Sequence, residues 1–329
     1  MTNLKLPLRR QFLHLAAGAA ALPAVSRIAR AQTYPSRPVR FIVGYAPGGG
    51  NDIVARLIGQ WLSERLGQHF IVENRPGAAT NIAAEAVVNA PPDGYTLLLA
   101  GTPNAINATL YGNLKFNFIR DIAPVAGVAR GPLVLVVNPS VPATTAPEFV
   151  AYAKANPGKI NMASAGIGSG GHLAGELFKM MTGANLVHVP YRGNGPALTD
   201  LLGGQVDVLF PTLASSIEYI RTGKLRGLAV TTAMRSEALP DLPVVGDFVA
   251  GYEYSAWYGL GAPKHTPSEI VATLNTEINA GLANSTIKAR LADLGSTPLV
   301  GSPADFGKLI SDETEKWAKV IRAANIKAE

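Results

Sequence analysis

Residues 41–62 read FIVGYAPGGGNDIVARLIGQWL, and residues 160–181 read INMASAGIGSGGHLAGELFKMM. Each stretch starts with an apolar run typical of a buried strand, passes through a glycine-rich loop, and continues with the apolar period of a helix. A strand, a short loop and a helix in this order form the building unit of α/β folds. The recurrence predicts an α/β fold with two lobes of similar design. The alternative is two unrelated lobes whose glycine loops coincide by chance.

The flanking segments continue the same pattern. Predicted strands lie at 39–45, 70–73, 96–100, 160–164, 186–189, 206–210, 225–231 and 254–262. Predicted helices lie at 52–66, 78–88, 172–181, 196–202, 268–284 and 303–324. The segment 125–137 starts as a strand, is interrupted by Arg-Gly-Pro and resumes as an apolar run. We expect the two long C-terminal helices to pack on the first lobe, because they follow the return of the chain to it.

The predicted connections between the lobes form a hinge. We expect the chain to cross near Gly131 and again between Thr231 and Tyr254. The first lobe would then comprise residues 32–131 and 250–329, and the second lobe residues 132–249. Two lobes joined in this way can close on a ligand held in the cleft between them.

The first 31 residues have the layout of an export signal. A basic start with Arg9 and Arg10 precedes an Ala/Leu-rich apolar run, and Ala29-Arg30-Ala31 provides small residues before Gln32. The run is shorter than the roughly 20 residues that a membrane-spanning helix needs. Arg9-Arg10-Gln11-Phe12-Leu13 resembles the twin-arginine export motif. We therefore expect a signal peptide over 1–31, cleavage after Ala31 and a periplasmic product; a structural N-terminal helix is the alternative.

The charge of the chain favours this interpretation over nucleic-acid binding. The formal net charge of +6 and the pI near 9.5 are typical of proteins that bind nucleic acid. However, five basic residues and no acidic ones lie within 1–31, so the remaining chain carries +1. We expect no nucleic-acid partner. The absence of cysteine excludes disulfides, iron–sulfur clusters and thiolate zinc sites.

The two glycine-rich loops are candidates for an anion-binding site. Backbone N–H groups at a helix start, together with the positive end of the helix dipole, attract anions. In open α/β sheets the ligand crevice lies beyond the carboxyl ends of the strands, where Pro47–Gly50 and Gly166–Gly171 are placed. One such loop is explained by tight turns alone, whereas two that face each other favour a site.

Cofactor and metal sites are not expected. Gly166–Gly171 fits the dinucleotide pattern G-x-G-x-x-G, but the following strand ends in Tyr191-Arg192 where an acidic residue is required. His172 and Glu176 lie one helical turn apart without a third ligand. The protein would thus have no cofactor and no metal ion.

Enzymatic chemistry is the competing interpretation. An exported hydrolase could use Ser169 or Ser164 in the same cleft, with His172 or His188 as its base. It would require a serine oxygen within hydrogen-bond reach of one of these histidines and a buried carboxylate behind it. The G-x-S-x-G pattern fails around Ser169 because Ile167 replaces the first glycine. We therefore expect no catalytic residues and no enzyme.

Several spaced motifs carry a family resemblance over nearly all of residues 33–329. They are YPSRPVRFIVGYAPGGGNDIVAR, VENRPGAATNIAAEAV, PPDGYTLLLAG, SAGIGSGGHLAGELF, VPYRGNGPALTDLLGGQVDV and LRGLAVTTAMRSEALPDLPVV. With these motifs the chain resembles the substrate-binding proteins of the tripartite tricarboxylate transporter family, called Bug receptors. The resemblance implies a two-lobed periplasmic-binding-protein fold of type II. It also implies a monomeric receptor that delivers a carboxylate, dicarboxylate, aromatic acid or amino acid to inner-membrane transporter subunits.

The resemblance also implies the ligand contacts, which in the family are mostly loop amides and hydroxyls. In the first lobe these are Gly48, Gly49, Gly50, Asp52, Asn74, Gly77, Ala78 and Thr102. In the second lobe they are Ser164, Gly168, Ser169, His172, Tyr191, Asp207 and Thr212.

Overall fold

The computed structural model describes residues 34–323 and 326–327. The predicted signal peptide over 1–31, with its cleavage after Ala31, lies outside the described residues. No helix in the described part of the chain combines the length and the hydropathy that a membrane span requires.

The chain from Val39 to Pro132 forms most of a first sheet and its helices. In order, the elements are β1 (Val39–Val43), α1 (Gly50–Leu66), β2 (Phe70–Asn74), a 3-10 turn (Ala78–Thr80), α2 (Asn81–Val88), β3 (Thr96–Gly101), α3 (Thr102–Leu110), α4 (Phe118–Asp121) and β4 (Ile122–Pro132).

The chain then forms a second sheet. Its elements are β5 (Val134–Val137), α5 (Ala146–Ala155), β6 (Ile160–Ser164), α6 (Gly170–Thr182), β7 (Leu186–Pro190), α7 (Asn194–Leu202), β8 (Val208–Leu209), α8 (Leu213–Arg221) and β9 (Arg226–Val230).

The last part of the chain returns to the first sheet. A 3-10 turn (Val245–Asp247) leads to β10 (Ser255–Pro263), α9 (Ser268–Ala283), α10 (Ser285–Asp293), β11 (Thr297–Pro298) and α11 (Pro303–Ala323). We call the first sheet with its helices the first lobe, and the second sheet with its helices the second lobe.

The two sheets have related topologies. Within the described residues the first has the order β11-β4-β10-β3-β1-β2, and the second has the order β7-β6-β8-β5-β9. In the first, β1 is parallel to β2 and β3; in the second, β6 is parallel to β7 and β8. β10 runs antiparallel between β3 and β4. The predicted α/β class and the recurrent strand–loop–helix unit are therefore confirmed.

Helices cover both faces of the first sheet. Phe41 and Val43 of β1 pack against Ile58 of α1, whereas Ile42 between them packs on the opposite face in a cluster with Phe306 of α11. Successive strand side chains point to opposite faces, which explains the continuous apolar run at 41–43. Burial of each large aliphatic or aromatic side chain of this kind stabilises the fold by about 1.5–3 kcal/mol.

Both long C-terminal helices pack on the first lobe, as predicted. Helix α9 does so through Leu274 and Ile278. Helix α11 packs on α3 and β4 of the first lobe. Its Phe306 joins the cluster that contains Ile42, and its Trp317 ring lies 5.0 Å from the ring of Tyr254 at the crossing between the lobes.

Two chain crossings connect the sheets, and a single side chain joins them. Leu133 separates β4 from β5, while Thr231 and Tyr254 flank the connection from β9 to β10. The buried Thr231 hydroxyl accepts a hydrogen bond from the Leu133 N–H at 2.9 Å and lies 2.8 Å from the Tyr254 carbonyl oxygen, to which it donates. The crossings therefore form one hydrogen-bonded unit beneath the cleft.

Candidate ligand-binding site

Five helices begin at one point between the two lobes. The cavity there, which we call the inner chamber, has a volume of about 30 Å³. Residues at the starts of α1, α3, α6, α7 and α8 line it, namely Gly49, Thr102, Ser169, Asn194 and Thr212. Its remaining wall includes Tyr45 after β1, Leu133 and Tyr254 of the crossings, and Trp257 and Tyr258 of β10.

A second cavity adjoins the first, and we call it the outer chamber. This outer chamber has a volume of about 270 Å³ and shares Tyr45 and Ala165 with the inner chamber. Tyr111 and Tyr191 line it together with alanine, isoleucine and proline side chains, and Arg192 is the one charged residue among its described lining residues. The outer chamber thus has an apolar body with a single cation.

Asp52 holds the glycine-rich loop of the first lobe. Its buried carboxylate accepts hydrogen bonds from the Gly48 N–H at 3.1 Å, from Asn74 at 3.0 Å and from Arg56 at 2.9 Å. Burial alone would raise the pKa of Asp52, but these donors outweigh it and lower the pKa. Asp52 therefore orders the loop as an anion. The N–H groups of Gly50 and Asn51 precede the first intrahelical hydrogen bond, from Ile53 to Gly49.

Internal hydrogen bonds also shape the loop of the second lobe. The Gly166 N–H donates to Ser164 Oγ at 3.0 Å, and the Gly168 N–H donates to His172 Nδ1 at 3.2 Å. Ser169 caps α6 by accepting the His172 N–H at 3.2 Å. The first two helical residues, Gly170 and Gly171, line the inner chamber. The N–H groups of these two residues, rather than that of Gly168, are placed for an incoming anion.

Two stacked histidines lie behind this loop. The His172 and His188 rings are 4.2 Å apart, and burial lowers the pKa of each from 6.5 to about 4. His172 Nδ1 is unprotonated because it accepts the Gly168 N–H. Both rings are therefore neutral supports of the loop at neutral pH.

The geometry bears on the hydrolase alternative. Ser164 Oγ lies 2.6 Å from His188 Nε2, which meets the first requirement for such chemistry. However, Ser164 is 0% exposed, and its oxygen also accepts the Gly166 N–H. Among the described residues no carboxylate is hydrogen-bonded to His188; Glu176 pairs with Lys179 at 2.7 Å. The Ser164 hydroxyl is thus a buried support of the loop and does not face the chambers.

The edge of the outer chamber carries a strained turn. Ala78, Ala79 and Thr80 have φ values of 45°, 46° and 79°, a conformation that residues other than glycine rarely adopt. Asn107 of α3 donates to the Ala79 carbonyl oxygen at 2.6 Å, and Asn104 donates to the Thr80 hydroxyl at 3.0 Å. Such strain persists only where surrounding contacts enforce it, and it concentrates at ligand-binding segments.

The two lobes are joined by hydrogen bonds next to the outer chamber. The Ala46 N–H donates to the Arg192 carbonyl oxygen at 3.0 Å, and the Tyr111 hydroxyl donates to the Ile167 carbonyl oxygen at 3.0 Å. Gly193 adopts φ +154° and approaches Ala46 so closely that an added Cβ would lie 3.0 Å from the Ala46 nitrogen. The structure is therefore a closed arrangement of the two lobes.

The predicted site residues fall into three groups. Those that line a chamber are Gly49, Gly77, Ala78, Thr102, Ser169, Tyr191 and Thr212. Those that hold or flank the lining loops are Gly48, Gly50, Asp52, Asn74, Ser164, Gly168 and His172. Asp207 belongs to neither group: it precedes β8, and its carboxylate accepts the Asn161 N–H at 2.7 Å, at the strand ends opposite to the cleft.

Sequence reasoning missed most of the aromatic lining. Tyr45 could have been found, because it lies between the end of β1 and the glycine-rich loop Pro47–Gly50. Trp257 is fully buried and also lines the inner chamber. Tyr254 and Tyr258 come from a distant part of the chain, and no local signal marks them.

No ionised side chain lines the inner chamber among the described residues. Burial raises the pKa of Tyr45, Tyr254 and Tyr258, so their hydroxyls remain protonated. For Tyr254 an interaction with the Thr102 side chain opposes this effect of burial without reversing it. Within residues 34–323 and 326–327, no group of three or more His, Asp or Glu side chains is placed to hold a metal ion.

Comparison with known proteins places this closed cleft in a family. The model of the tripartite tricarboxylate transporter family receptor matches residues 54–326. The chain is 38% identical over 304 residues to protein BugT of Bordetella pertussis, covering 90% of this chain and 92% of BugT. The chain belongs to this receptor family, and the resemblance seen in its motifs is confirmed.

Two solved structures share the fold. The structure of R. palustris Rpa4515 with adipate has a TM-score of 0.87 and 38% identity, covering 89% of this chain and 99% of that protein. MatC from Rhodopseudomonas palustris with bound malate has a TM-score of 0.83 and 32% identity, covering 88% and 100% of the two chains. The two-lobed α/β fold of a periplasmic solute-binding protein is thereby established for this chain.

Proposed function

We propose that this protein is an exported solute receptor that binds a small carboxylate between its lobes and delivers it to an inner-membrane transporter. The observation that carries the proposal is the convergence of five helix starts on a chamber without ionised side chains. Helix N-termini stabilise an anion through unpaired N–H groups and the helix dipole. A carboxylate is thus favoured over a neutral or cationic solute.

Relatives support the choice of ligand class. Rpa4515 was solved with adipate and MatC with malate, and both are small carboxylates. In this chain the apolar outer chamber would hold the body of the ligand, with Arg192 near a second acidic group. Aromatic acids and amino acids remain in the candidate set because the outer lining is largely tyrosine and aliphatic.

The hinge supplies the mechanism. The lobes would comprise residues 32–131 with 250–329, and 132–249, and would separate by rotation about the crossings joined by Thr231. Ligand binding then shifts the population toward the closed arrangement, because only there do both lobes contact the ligand. We propose that the monomer in this closed form is the species that transporter subunits recognise.

Binding is tested on the full chain, expressed with its own N-terminal segment and purified from the periplasm. N-terminal sequencing is expected to give Gln32 as the first residue, which checks export and cleavage. After unfolding and refolding to remove carried ligand, thermal-shift and calorimetric titrations use adipate, malate, benzoate and glutamate. At least one of these carboxylates is expected to raise the Tm and to bind with one-to-one stoichiometry. The neutral diamide of adipate is expected to do neither.

If no carboxylate raises the Tm, the receptor proposal is overturned. The transport role has a separate test in the host cell. Uptake of the bound carboxylate is expected to disappear when the gene is deleted and to return when the wild-type gene is restored. Unchanged uptake in the deletion strain would contradict the proposed transport role but not the proposed binding function.

A further inference from the structure

A third cavity lies behind the hinge, on the side away from the two chambers. This rear cavity has a volume of about 400 Å³. Along the second crossing, Glu253 and Ser255 line the rear cavity, whereas Tyr254 and Ala256, which alternate with them, line the inner chamber. Alternate residues of an extended segment point to opposite sides. The crossing therefore separates the rear cavity from the inner chamber.

Both lobes contribute to the wall of the rear cavity. The first lobe supplies Arg130 near the end of β4 and residues between 292 and 297, where α10 leads into β11. The second lobe supplies residues 232–238, which follow β9. When the lobes rotate about the crossings so that the cleft opens, the walls on the opposite side of the crossings approach each other. The rear cavity is thus wide when the cleft is closed and narrow when the cleft is open.

Met234 lies in the wall of the rear cavity but extends into solvent. It is 79% exposed, the highest value among the large apolar side chains of the described residues. The Thr232 hydroxyl donates to the Met234 carbonyl oxygen at 2.8 Å and fixes the segment that carries it. Pro132, Ala238 and Ala292 supply apolar groups to the same wall. A methionine side chain adapts to irregular apolar gaps, and its burial there would stabilise whichever arrangement allows it.

We propose that Met234 is an autoinhibitory plug, which packs into the narrowed rear cavity when the cleft is open and is expelled into solvent when the cleft closes. The plug stabilises the open, ligand-free arrangement. Because the apparent affinity of a ligand falls with the population of the arrangement that binds it, the plug weakens carboxylate binding. This assignment rests on the proposed receptor function and its hinge motion. It adds the contact that opposes closure.

The first test uses two exposed methionines that differ in position. Met234 is already exposed in the closed arrangement, so Met234→Ser changes that arrangement little and acts on the open one. Calorimetric titration uses the tightest binder among adipate, malate, benzoate and glutamate, which we call the test carboxylate. Met234→Ser is expected to bind it about tenfold more tightly than the wild type does. Met180 is 52% exposed in the last turn of α6 and does not line the rear cavity, so Met180→Ser is expected to keep wild-type affinity.

A second pair of variants tests whether the rear cavity narrows on opening. Ala289 and Ala292 are both exposed on α10, but only Ala292 lines the rear cavity. Ala292→Trp places an indole ring between the walls and hinders their approach, so it is expected to tighten binding of the test carboxylate as Met234→Ser does. Ala289→Trp is expected to leave the affinity unchanged.

Oxidation measures the exposure of Met234 directly. Hydrogen peroxide transfers one oxygen atom to the methionine sulfur to give the sulfoxide and releases water, at a rate that follows exposure. Peptide mass spectrometry is expected to show that Met234 is oxidised faster in protein saturated with the test carboxylate than in ligand-free protein. The rate at Met180 is expected to be the same in both samples.

The outcomes separate this proposal from the function on which it rests. Wild-type protein that binds no carboxylate overturns both. If the wild type binds the test carboxylate but Met234→Ser binds it no more tightly, only the plug is overturned. The plug is also overturned if ligand leaves the oxidation rate of Met234 unchanged or lowers it. Wild-type affinity in Ala292→Trp overturns the narrowing of the rear cavity on which the plug depends.

Discussion

The Thr231 hydroxyl accepts a hydrogen bond from the Leu133 N–H at 2.9 Å and thereby links the two chain crossings of the hinge. Both residues are buried, so no water replaces this bond when it is removed. Thr231→Val keeps the shape of the side chain and is expected to lower the free energy of unfolding by about 2 kcal/mol. Urea titration measures the change.

Thr231→Ser provides the control for this prediction. It retains the hydroxyl and loses only a methyl group, so most of the stability is expected to remain. If Thr231→Val were as stable as the wild type, the hydroxyl would have no part in holding the crossings together.

Ser169 and Thr145 form a matched pair of helix caps. Ser169 caps α6 at the inner chamber, and Thr145 caps α5 away from both chambers. Ser169→Ala and Thr145→Ala are each expected to lower stability by about 1 kcal/mol. Only Ser169→Ala is expected to weaken carboxylate binding, because it loosens the first turn of α6. Calorimetric titration of both variants with adipate or malate distinguishes the two roles; equal affinities would remove Ser169 from the site.

Gly170 is expected to tolerate no side chain. Alanine at this position collides with the Tyr254 hydroxyl, so Gly170→Ala should force the lobes apart and weaken binding about tenfold. The double variant Gly170→Ala with Tyr254→Phe lacks the nearest colliding atom and is expected to be more stable than Gly170→Ala alone. Gly112→Ala is the control, because an added Cβ meets no described atom within 4 Å there. Wild-type binding by Gly170→Ala would contradict the closed geometry.

The stacked histidines predict acid sensitivity. Burial lowers the pKa of His172 and His188 from 6.5 to about 4, so across this range the unfolded chain binds protons that the folded protein does not. Stability therefore falls as the pH is lowered through this window. Protonated His172 also cannot accept the Gly168 N–H. The free energy of unfolding is measured by urea titration at several pH values. It is expected to depend less steeply on pH in the double variant His172→Gln with His188→Gln than in the wild type. The same pH dependence in both proteins would refute the assignment.

The units that recur along the chain were predictable from local pattern. The strand at Ile160–Ser164 agrees with the prediction, and α1 begins at Gly50, two residues before its predicted start. Apolar periodicity detects the buried face of a helix but not its first turn, where glycines replace apolar residues. That first turn lines the inner chamber, so the pattern was least informative at the positions that matter most for the site.

The aromatic part of the site depends on contacts between distant segments. β10 inserts antiparallel between β3 and β4 and carries Trp257 to the start of α3. Tyr254 reaches the start of α6 from the crossing that precedes β10. No spacing in the sequence encodes these encounters. The hydrogen bond between Ala46 and Arg192 could not be predicted from the sequence either, because it joins backbone atoms of the two lobes.

The hydrogen bond from the Ala46 N–H to the Arg192 carbonyl oxygen has an evolutionary consequence. A hydrogen bond between main-chain atoms persists whichever side chains other than proline occupy those positions. Substitutions in the chamber lining that fit the closed cleft can therefore accumulate without removing this hydrogen bond. Gene duplicates of such a receptor would be free to diverge toward new ligands while each keeps the same backbone contact between its lobes.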